Sequence, residues 1–275
     1  MGNKELFEEV FEYLNNGSKN CLKTGFFDLD EALDLNDKGA LITIGGRPAM
    51  GKTSFIYNLL ENISQQGKKC ILFSLERSAK LVIQRLLCQV AEIDTIKIRR
   101  KNMQQNDWRK MSDAMNKWVN VDFVIDDTRA ITVKDIEAKI KEVRPKVVFI
   151  DYLQLINSYV NTERRFFTED VMRELKRIAG ENKIIIFLGS QLSRAVESRA
   201  DKHPLLSDFR DSGSIENISD VVIFIHRPGY YYLDDESGLA EIIVAKNHFG
   251  PCVTINLKFN PSIMKFYNLP HNEVF

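Results

Sequence analysis

Residues 45–54, GGRPAMGKTS, carry Gly46-x-x-x-x-Gly51-Lys52-Thr53 between the apolar run ALITIG and an amphipathic run beginning TSFIY. Glycines let backbone N–H groups close around a phosphate, and a helix start adds the positive end of its dipole. The lysine of such a loop reaches the β- and γ-phosphates, and its threonine hydroxyl binds Mg²⁺. Arg47, Pro48, Ala49, Met50, Gly51, Lys52, Thr53 and Ser54 are therefore expected around a nucleoside triphosphate. The loop names a ligand and not a reaction, because kinases, small GTPases, transporters and DNA motors all use one.

Hydrolysis needs further groups, and three strand ends offer them. VVFID places Asp151 where a second metal ligand belongs. LFSLE places Glu76 where water could be oriented or deprotonated, and FLGSQ places Gln191 where loss of a γ-phosphate could be sensed. Each alone is an ordinary polar strand end; beside the loop they make a hydrolytic set. A kinase would instead need an acceptor pocket and a lid with arginines, and neither is found. After Gln191 comes SRAVESRADKHPLLSDFRDSGS, with Arg194, Arg199, Lys202 and Arg210 among acids. It reads either as a solvated loop or as a path from the γ-phosphate sensor to a nucleic-acid backbone. A second basic run, KIRRK at 97–101, reads as a solvated helix connection, with contact to DNA as the alternative.

Strands and helices must hold these groups. ALITIG, KCILFSL, DFVID, KVVFID, KIIIFLG and DVVIFIH are short and mostly continuous apolar runs, as expected of strands covered on both faces. Helical periodicity separates them: Phe55, Ile56, Leu59, Leu60 and Ile63; then Val133, Ile136, Ile140 and Val143; then Val171, Leu175, Ile178 and Ala179. Thr132 and Asp135 are placed as a capping pair, and acids are expected in the first turn of the third helix. The last runs, AEIIVAK and VTINLKF, follow each other through short turns, which predicts an antiparallel edge. The expectation is an α/β domain over 21–275, a mostly parallel central sheet with helices on both faces and an antiparallel edge. Residues 1–20 stand apart. Leu6, Phe7, Val10, Phe11 and Leu14 form a helical stripe before the tether NNGSKN, packed on its own domain or docked on an adjacent subunit.

The totals exclude several classes. Among 275 residues, 44% are hydrophobic and 28% charged, with 38 basic and 38 acidic side chains, so no global field draws the chain to a polyanion. The four cysteines are far apart and show no zinc spacing, which predicts reduced thiols and a cytoplasmic protein. No apolar run approaches the ~18 residues of a membrane span.

Together these residues resemble the RecA-like P-loop ATPase domain of the DnaB family of replicative hexameric helicases, in the right order along nearly the whole chain. TGFFDLDEAL looks like the entry to that domain, FSLERS the segment with the catalytic glutamate, and VVFIDYLQLI the second nucleotide motif with its Tyr-Leu-Gln-Leu tail. GSQLSRAVESRADKHPLLSDFRDSGSIENISD resembles the sensor and DNA-binding loops, and AEIIVAKNHFGP the strand that presents basic fingers to a neighbour's nucleotide. The FIDYLQL and SDFRDSGSIE elements are far more specific than the phosphate loop. The family implies ATP and Mg²⁺ as ligands and 5′-to-3′ movement of a ring, a hexamer, on single-stranded DNA, with a helicase loader and primase as further partners. It assigns phosphate binding to Lys52, Mg²⁺ to Thr53 and Asp151, water activation to Glu76 and γ-phosphate sensing to Gln191. DNA contact falls to Arg210, Asp211 and Gly213, with Arg194, Arg199 and Lys202 on the same segment, and Arg227 is expected beside the nucleotide. The N-terminal stripe then matches a linker helix that packs on the adjacent subunit.

Two departures stand out. The family's helical N-terminal domain is not among these residues, as in an excised ATPase domain or a short relative, and a weaker ring is expected. The usual Lys-x-Arg finger is here Lys246-Asn247-His248. Residues two apart on a strand face the same side, so Lys246 and His248 are both expected at the neighbour's γ-phosphate. An ATP switch that binds DNA or a helicase without unwinding is the alternative function, and a RecA- or clock-type recombinase a third, disfavoured by FIDYLQL.

Overall fold

A computed structural model of the chain describes residues 21–35, 39–157, 164–209, 212–232 and 237–270, with positions 7, 8 and 11 before them. A short helix, α1 (Phe27–Ala32), leads into β1 (Ala40–Gly46), and the phosphate-loop sequence then feeds α2 (Lys52–Ser64). β2 (Cys70–Ser74) is followed by a helical excursion, α3 (Ala79–Ala91), α4 (Thr95–Arg99) and α5 (Gln105–Trp118), before β3 (Phe123–Asp126). Next come α6 (Val133–Val143), β4 (Val147–Asp151), a 3-10 turn at Leu153–Leu155, α7 (Arg164–Asn182) and β5 (Ile185–Gln191). The remainder runs α8 (Ala195–Ser198), a 3-10 turn at Leu206–Asp208, α9 (Ser212–Ile218), β6 (Val221–His226) and α10 (Pro228–Tyr231). β7 (Leu239–Asn247), β8 (Thr254–Asn260) and β9 (Lys265–Asn268) close the fold.

The described strands make one sheet of nine in the order β3-β2-β4-β5-β1-β6-β7-β8-β9. Pairs from β3 to β6 are parallel, and those from β6 to β9 are antiparallel, as the short final turns predicted. β1, β2, β4 and β6 are buried at every residue, whereas β8 alternates exposed and buried. That contrast follows from cover: helices lie on both faces of the parallel part, while one face of the antiparallel edge meets solvent. Leu41, Val148, Ile150 and Leu188 belong to the core on one face, and Ile42, Ile44, Phe149 and Phe187 to the core on the other.

Register sets the site. Gly46 pairs with Gln191 across β1 and β5, and Ser74 pairs with Asp151 across β2 and β4. The phosphate loop, Glu76, Asp151 and Gln191 therefore leave the sheet along its carboxyl edge, where open α/β sheets bind ligands.

The capping pair forms as expected: Thr132 Oγ1 accepts from Asp135 N at 3.3 Å, and Thr132 N donates to Asp135 Oδ2 at 3.0 Å. The expectation for the third helix needs correction. α7 begins at Arg164, so Glu169 and Asp170 lie beyond its first turn. KIRRK falls on α4 and its end, with Lys97 paired to Asp107 at 2.9 Å, which agrees with a helix connection. Phe7 and Phe11 are helical and 72% and 66% exposed, while Leu6, Val10, Leu14 and the NNGSKN tether lie outside the described residues.

Candidate active site

β1 delivers the loop, and α2 begins at Lys52 behind Gly51, which has φ 98°. A Cβ on Gly51 would lie 2.9 Å from the Phe266 ring as well as adopting a left-handed backbone, so this position requires glycine. Lys52 Nζ lies 3.7 Å from Asp151 Oδ1 and 4.0 Å from the centroid of the Tyr152 ring. Burial pushes the Lys52 pKa down, and the charges of Asp151 and Glu76 oppose that shift. Thr53 Oγ1 donates to Asp151 Oδ2 at 2.8 Å. The second carboxylate oxygen, Oδ1, is buried with no hydrogen-bond partner among the described residues. A buried anionic oxygen without a partner is costly. Beside a threonine hydroxyl it suits a hard, oxygen-ligated cation such as Mg²⁺, which Asp151 and Thr53 would hold.

Lys52, Thr53 and Tyr152 line an open cleft of about 540 Å³, with the buried Asp151 behind them. Arg47, Pro48, Ala49, Gly51, Lys52, Thr53, Ser54, Glu76, Gln191 and Arg227 all reach it. Met50 does not: its side chain is 1% exposed and belongs to the core, so the loop contributes it as an anchor. Glu76 is about half exposed and lies 3.8 Å from Arg77. Arg227 stacks 4.2 Å over the Phe259 ring and donates from Nη1 to Ala49 O at 3.1 Å. Sequence reasoning assigned no site role to Arg77, Arg85 and Tyr152, although FSLERS and the Tyr-Leu-Gln-Leu tail contain the first and third. Phe259, Pro261 and Met264 also line the cleft. They arrive from β8 and the turn after it, and no local pattern marks them.

Gln191 is held from behind. Its N–H donates to Gln154 Oε1 at 3.1 Å, and Gln154 Nε2 donates to Ser190 Oγ at 3.0 Å. Gln154 is thus a positioning residue for the strand tip. Arg47, 9% exposed, turns its donors into the chain. Nε and Nη2 donate to Glu197 Oε1 at 3.0 and 2.7 Å, and Nη1 donates to Leu192 O at 2.9 Å. The loop of residues 46–53 is therefore tied directly to the segment that follows Gln191.

The cations of that segment are unevenly placed. Arg199 grips Asp208 with two bonds of 2.7 Å and His203 O at 2.5 Å. Burial pushes Asp208 up, but the Arg199 bonds and the Leu205 N–H outweigh it and hold the carboxyl below its ordinary value. Lys202 Nζ donates to Glu197 O and Arg199 O at 2.5 and 2.6 Å. Arg194 and Gly213 are exposed, and Arg210 and Asp211 lie outside the described residues.

β7 ends at Asn247, so Lys246 and His248 are not two positions of one strand as expected; His248 lies in the bend beyond it, and both approach Asp220, neither lining the cleft of their own chain. Lys246 Nζ donates to Glu216 O at 2.6 Å and Ser219 O at 2.7 Å, capping the carboxyl end of α9, where a cation complements the helix dipole. Burial lowers its pKa, opposed by Asp220 and Glu216. His248 is 53% exposed, with Nδ1 3.7 Å from Asp220 Oδ1. Asp220 also accepts from Lys176 and from Leu41 N at 2.8 Å.

Comparison with known proteins agrees with this geometry. Residues 21–268 match the family model described as the DnaB-like helicase C-terminal domain. The chain is 37% identical over 268 residues to the replicative DNA helicase DnaB of Geobacillus stearothermophilus, covering 94% of this chain and 59% of that one. It is 36% identical over 251 residues to a probable plasmid replicative DNA helicase of Chlamydia psittaci, covering 89% and 55%. The chain thus spans about three-fifths of the length of these curated relatives. Among solved structures, a chain described as an ATPase domain aligns with TM-score 0.92 at 33% identity, over 98% of this chain and 99% of that one. A DnaB-like replicative helicase, described with its interactions with primase, aligns with TM-score 0.89 at 33% identity, over 97% and 66%. The mostly parallel sheet with its antiparallel edge is accordingly the RecA-like ATPase fold, and the recombinase reading gives way. With the family model spanning nearly the whole chain and the sheet aligning throughout, this chain belongs to the DnaB-like helicase C-terminal domain family.

Proposed function

We propose that the chain is the ATP-driven motor of a replicative DNA helicase in the cytoplasm. Copies of it form a ring, a hexamer, hydrolyse ATP between subunits and move 5′ to 3′ along single-stranded DNA. The observation that carries this reading is that Lys52 and Thr53 both engage Asp151, whose Oδ1 accepts no hydrogen bond among the described residues, beside a cleft that Lys52, Thr53, Glu76 and Gln191 line. The names of the relatives supply the substrate class, and primase is a proposed partner because one solved relative is described with it. A helicase loader is proposed as a further partner on the family resemblance.

In this mechanism Lys52 neutralises the β- and γ-phosphate oxygens, and the loop N–H groups fix their position. Mg²⁺, held by Thr53 and Asp151, would offset charge that develops on the phosphoryl oxygens. Glu76, at the mouth of the cleft, takes a proton from the attacking water as its oxygen bonds to the γ-phosphorus. The bond to the β,γ-bridging oxygen breaks, leaving ADP and phosphate. Gln191 registers the loss of the γ-phosphate, and the Arg47–Glu197 tie carries movement of the phosphate loop into the segment after it. Lys246 and His248 of the neighbouring copy complete the site, and Arg194, Arg199, Lys202, Arg210, Asp211 and Gly213 face the DNA backbone.

Strand displacement from a forked duplex tests the proposal. Glu76→Gln should keep ATP binding while losing hydrolysis and displacement together. If assembled wild-type rings hydrolyse ATP on single strands yet never displace one, the motor reading fails and an ATP switch remains.

A further inference from the structure

Outside the nucleotide cleft, three metal-ligating side chains meet where the loop after α8 lies on the sheet. His226 and Glu241 are direct partners in the antiparallel register of β6 and β7, so their side chains leave one face of the sheet as neighbours. His203, from the loop, brings Nε2 to 2.7 Å from Glu241 Oε2 and its ring centroid to 4.2 Å from that of His226. One ligand atom from each residue lies within 4.8 Å of the other two. Two of the three ligands therefore stand on rigid, hydrogen-bonded strands, and the third closes over them from a loop.

We propose that His203, His226 and Glu241 bind a divalent transition-metal ion of the Zn²⁺ class, distinct from the metal of the nucleotide. Two imidazoles and one carboxylate favour such an ion over Mg²⁺ or Ca²⁺, which take oxygen ligands. Zinc bonds near 2 Å in a tetrahedron set ligand atoms about 3.3 Å apart, so the His203–Glu241 contact would widen by about half an ångström and a pair at the 4.8 Å limit would close by about 1.5 Å. The second sphere is also present. Asp201 bonds Nδ1 of His203, the carboxylate–histidine–metal arrangement that orients a ligating ring and fixes its tautomer. His203 is 45% exposed, which leaves the fourth position to water.

The ion would staple the segment after Gln191 to β6. One residue beyond His226, Arg227 bonds Ala49 of the phosphate loop, and Arg199 holds His203 O from within the segment. A bound metal would thus set how freely this segment moves relative to the nucleotide.

Titration of tag-free, chelator-treated, nucleotide-free protein with Co²⁺ tests the site, read by the visible d–d bands of four-coordinate cobalt and by competition with Zn²⁺. One equivalent should bind, and Zn²⁺ should displace it. His203→Asn, a change at a half-exposed loop position, should abolish the bands, as should Glu241→Gln. Asp201→Asn should weaken Zn²⁺ about 10–100-fold while keeping the spectrum. Absence of four-coordinate bands in the wild type, or Zn²⁺ affinity unchanged in both His203→Asn and Glu241→Gln, overturns the proposal and leaves an ion-paired histidine.

Discussion

The phosphate end of the cleft and the basic segments outside it handle charge in opposite ways. At the phosphate end, Lys52 and Thr53 converge on Asp151, whose Oδ1 has the Lys52 ammonium 3.7 Å away but accepts no hydrogen bond among the described residues, which suits an added ligand. At the segment after Gln191 and on β7, Arg199, Lys202 and Lys246 are already engaged by Asp208 and by backbone carbonyls. Hydrogen bonds to charged groups each contribute about 1.5–3 kcal/mol, so moving these cations to DNA or to a neighbour's phosphate must replace bonds that exist. The difference teaches that the phosphate end is preorganised within one chain. The basic segments are held closed by their own contacts until a partner competes for them.

The largest effect should come from breaking the preorganised end. Lys52→Ala removes the buried cation that faces the phosphates, and steady-state hydrolysis should fall about 10²–10³-fold. A loss of less than a few-fold would mean that the cleft beside Asp151 is not where the phosphates sit. In the basic segments, Arg199→Ala should act on stability before function. It leaves the buried Asp208 carboxylate without its main donors, which costs about 1–3 kcal/mol, read as a lowered denaturant midpoint. The sign with pH follows from Asp208, whose folded pKa lies below its ordinary value. The brace stabilises above the unfolded carboxyl range and is lost as pH falls through the lower folded pKa, so wild type and Arg199→Ala should converge in strong acid.

His248 offers a smaller test. A finger arginine is worth ~10³–10⁵ in rate in related phosphoryl transfers, whereas an imidazole lacks the planar guanidinium fork that grips a phosphate with two bonds. His248→Arg should therefore raise DNA-stimulated hydrolysis about tenfold at matched ring assembly, a fraction of the full finger effect because Lys246 already supplies most of the finger's charge. An unchanged rate would remove His248 from the interface. The smallest effect belongs to the tie between the two regions. Glu197→Gln weakens the Arg47 contact, and stimulation of hydrolysis by single-stranded DNA should drop about 5-fold while ATP affinity holds. Full stimulation would show that the regions communicate by another route.

Much of this was legible because the local chemistry is strict. A left-handed glycine before a helix, a lysine and threonine at its start, and polar residues at the tips of apolar strands can be read from order alone. Tyr-Leu-Gln-Leu was legible as a mark of the family, but not as the device that places Gln154 against Gln191. Arg47 was read as a phosphate-loop residue, yet its partner lies 150 positions away, and nothing nearby in the sequence names Glu197. α3 and α5 were not separated from their surroundings because their apolar positions are divided between the main core, which takes Val82, Leu86 and Trp118, and a small satellite core that includes Ala91, Met111 and Ala114.

By itself, the sequence determined the strand–helix alternation, the phosphate loop, the acids at the strand tips and the family resemblance. Each depends on residues close together or on strand periodicity. Only the tertiary structure decided which charges remain uncompensated, because compensation depends on partners that folding brings from distant segments. It left Asp151 Oδ1 without a hydrogen bond among the described residues, closed Arg199 and Lys246 onto their own chain, and set His203 against the cross-strand pair His226 and Glu241.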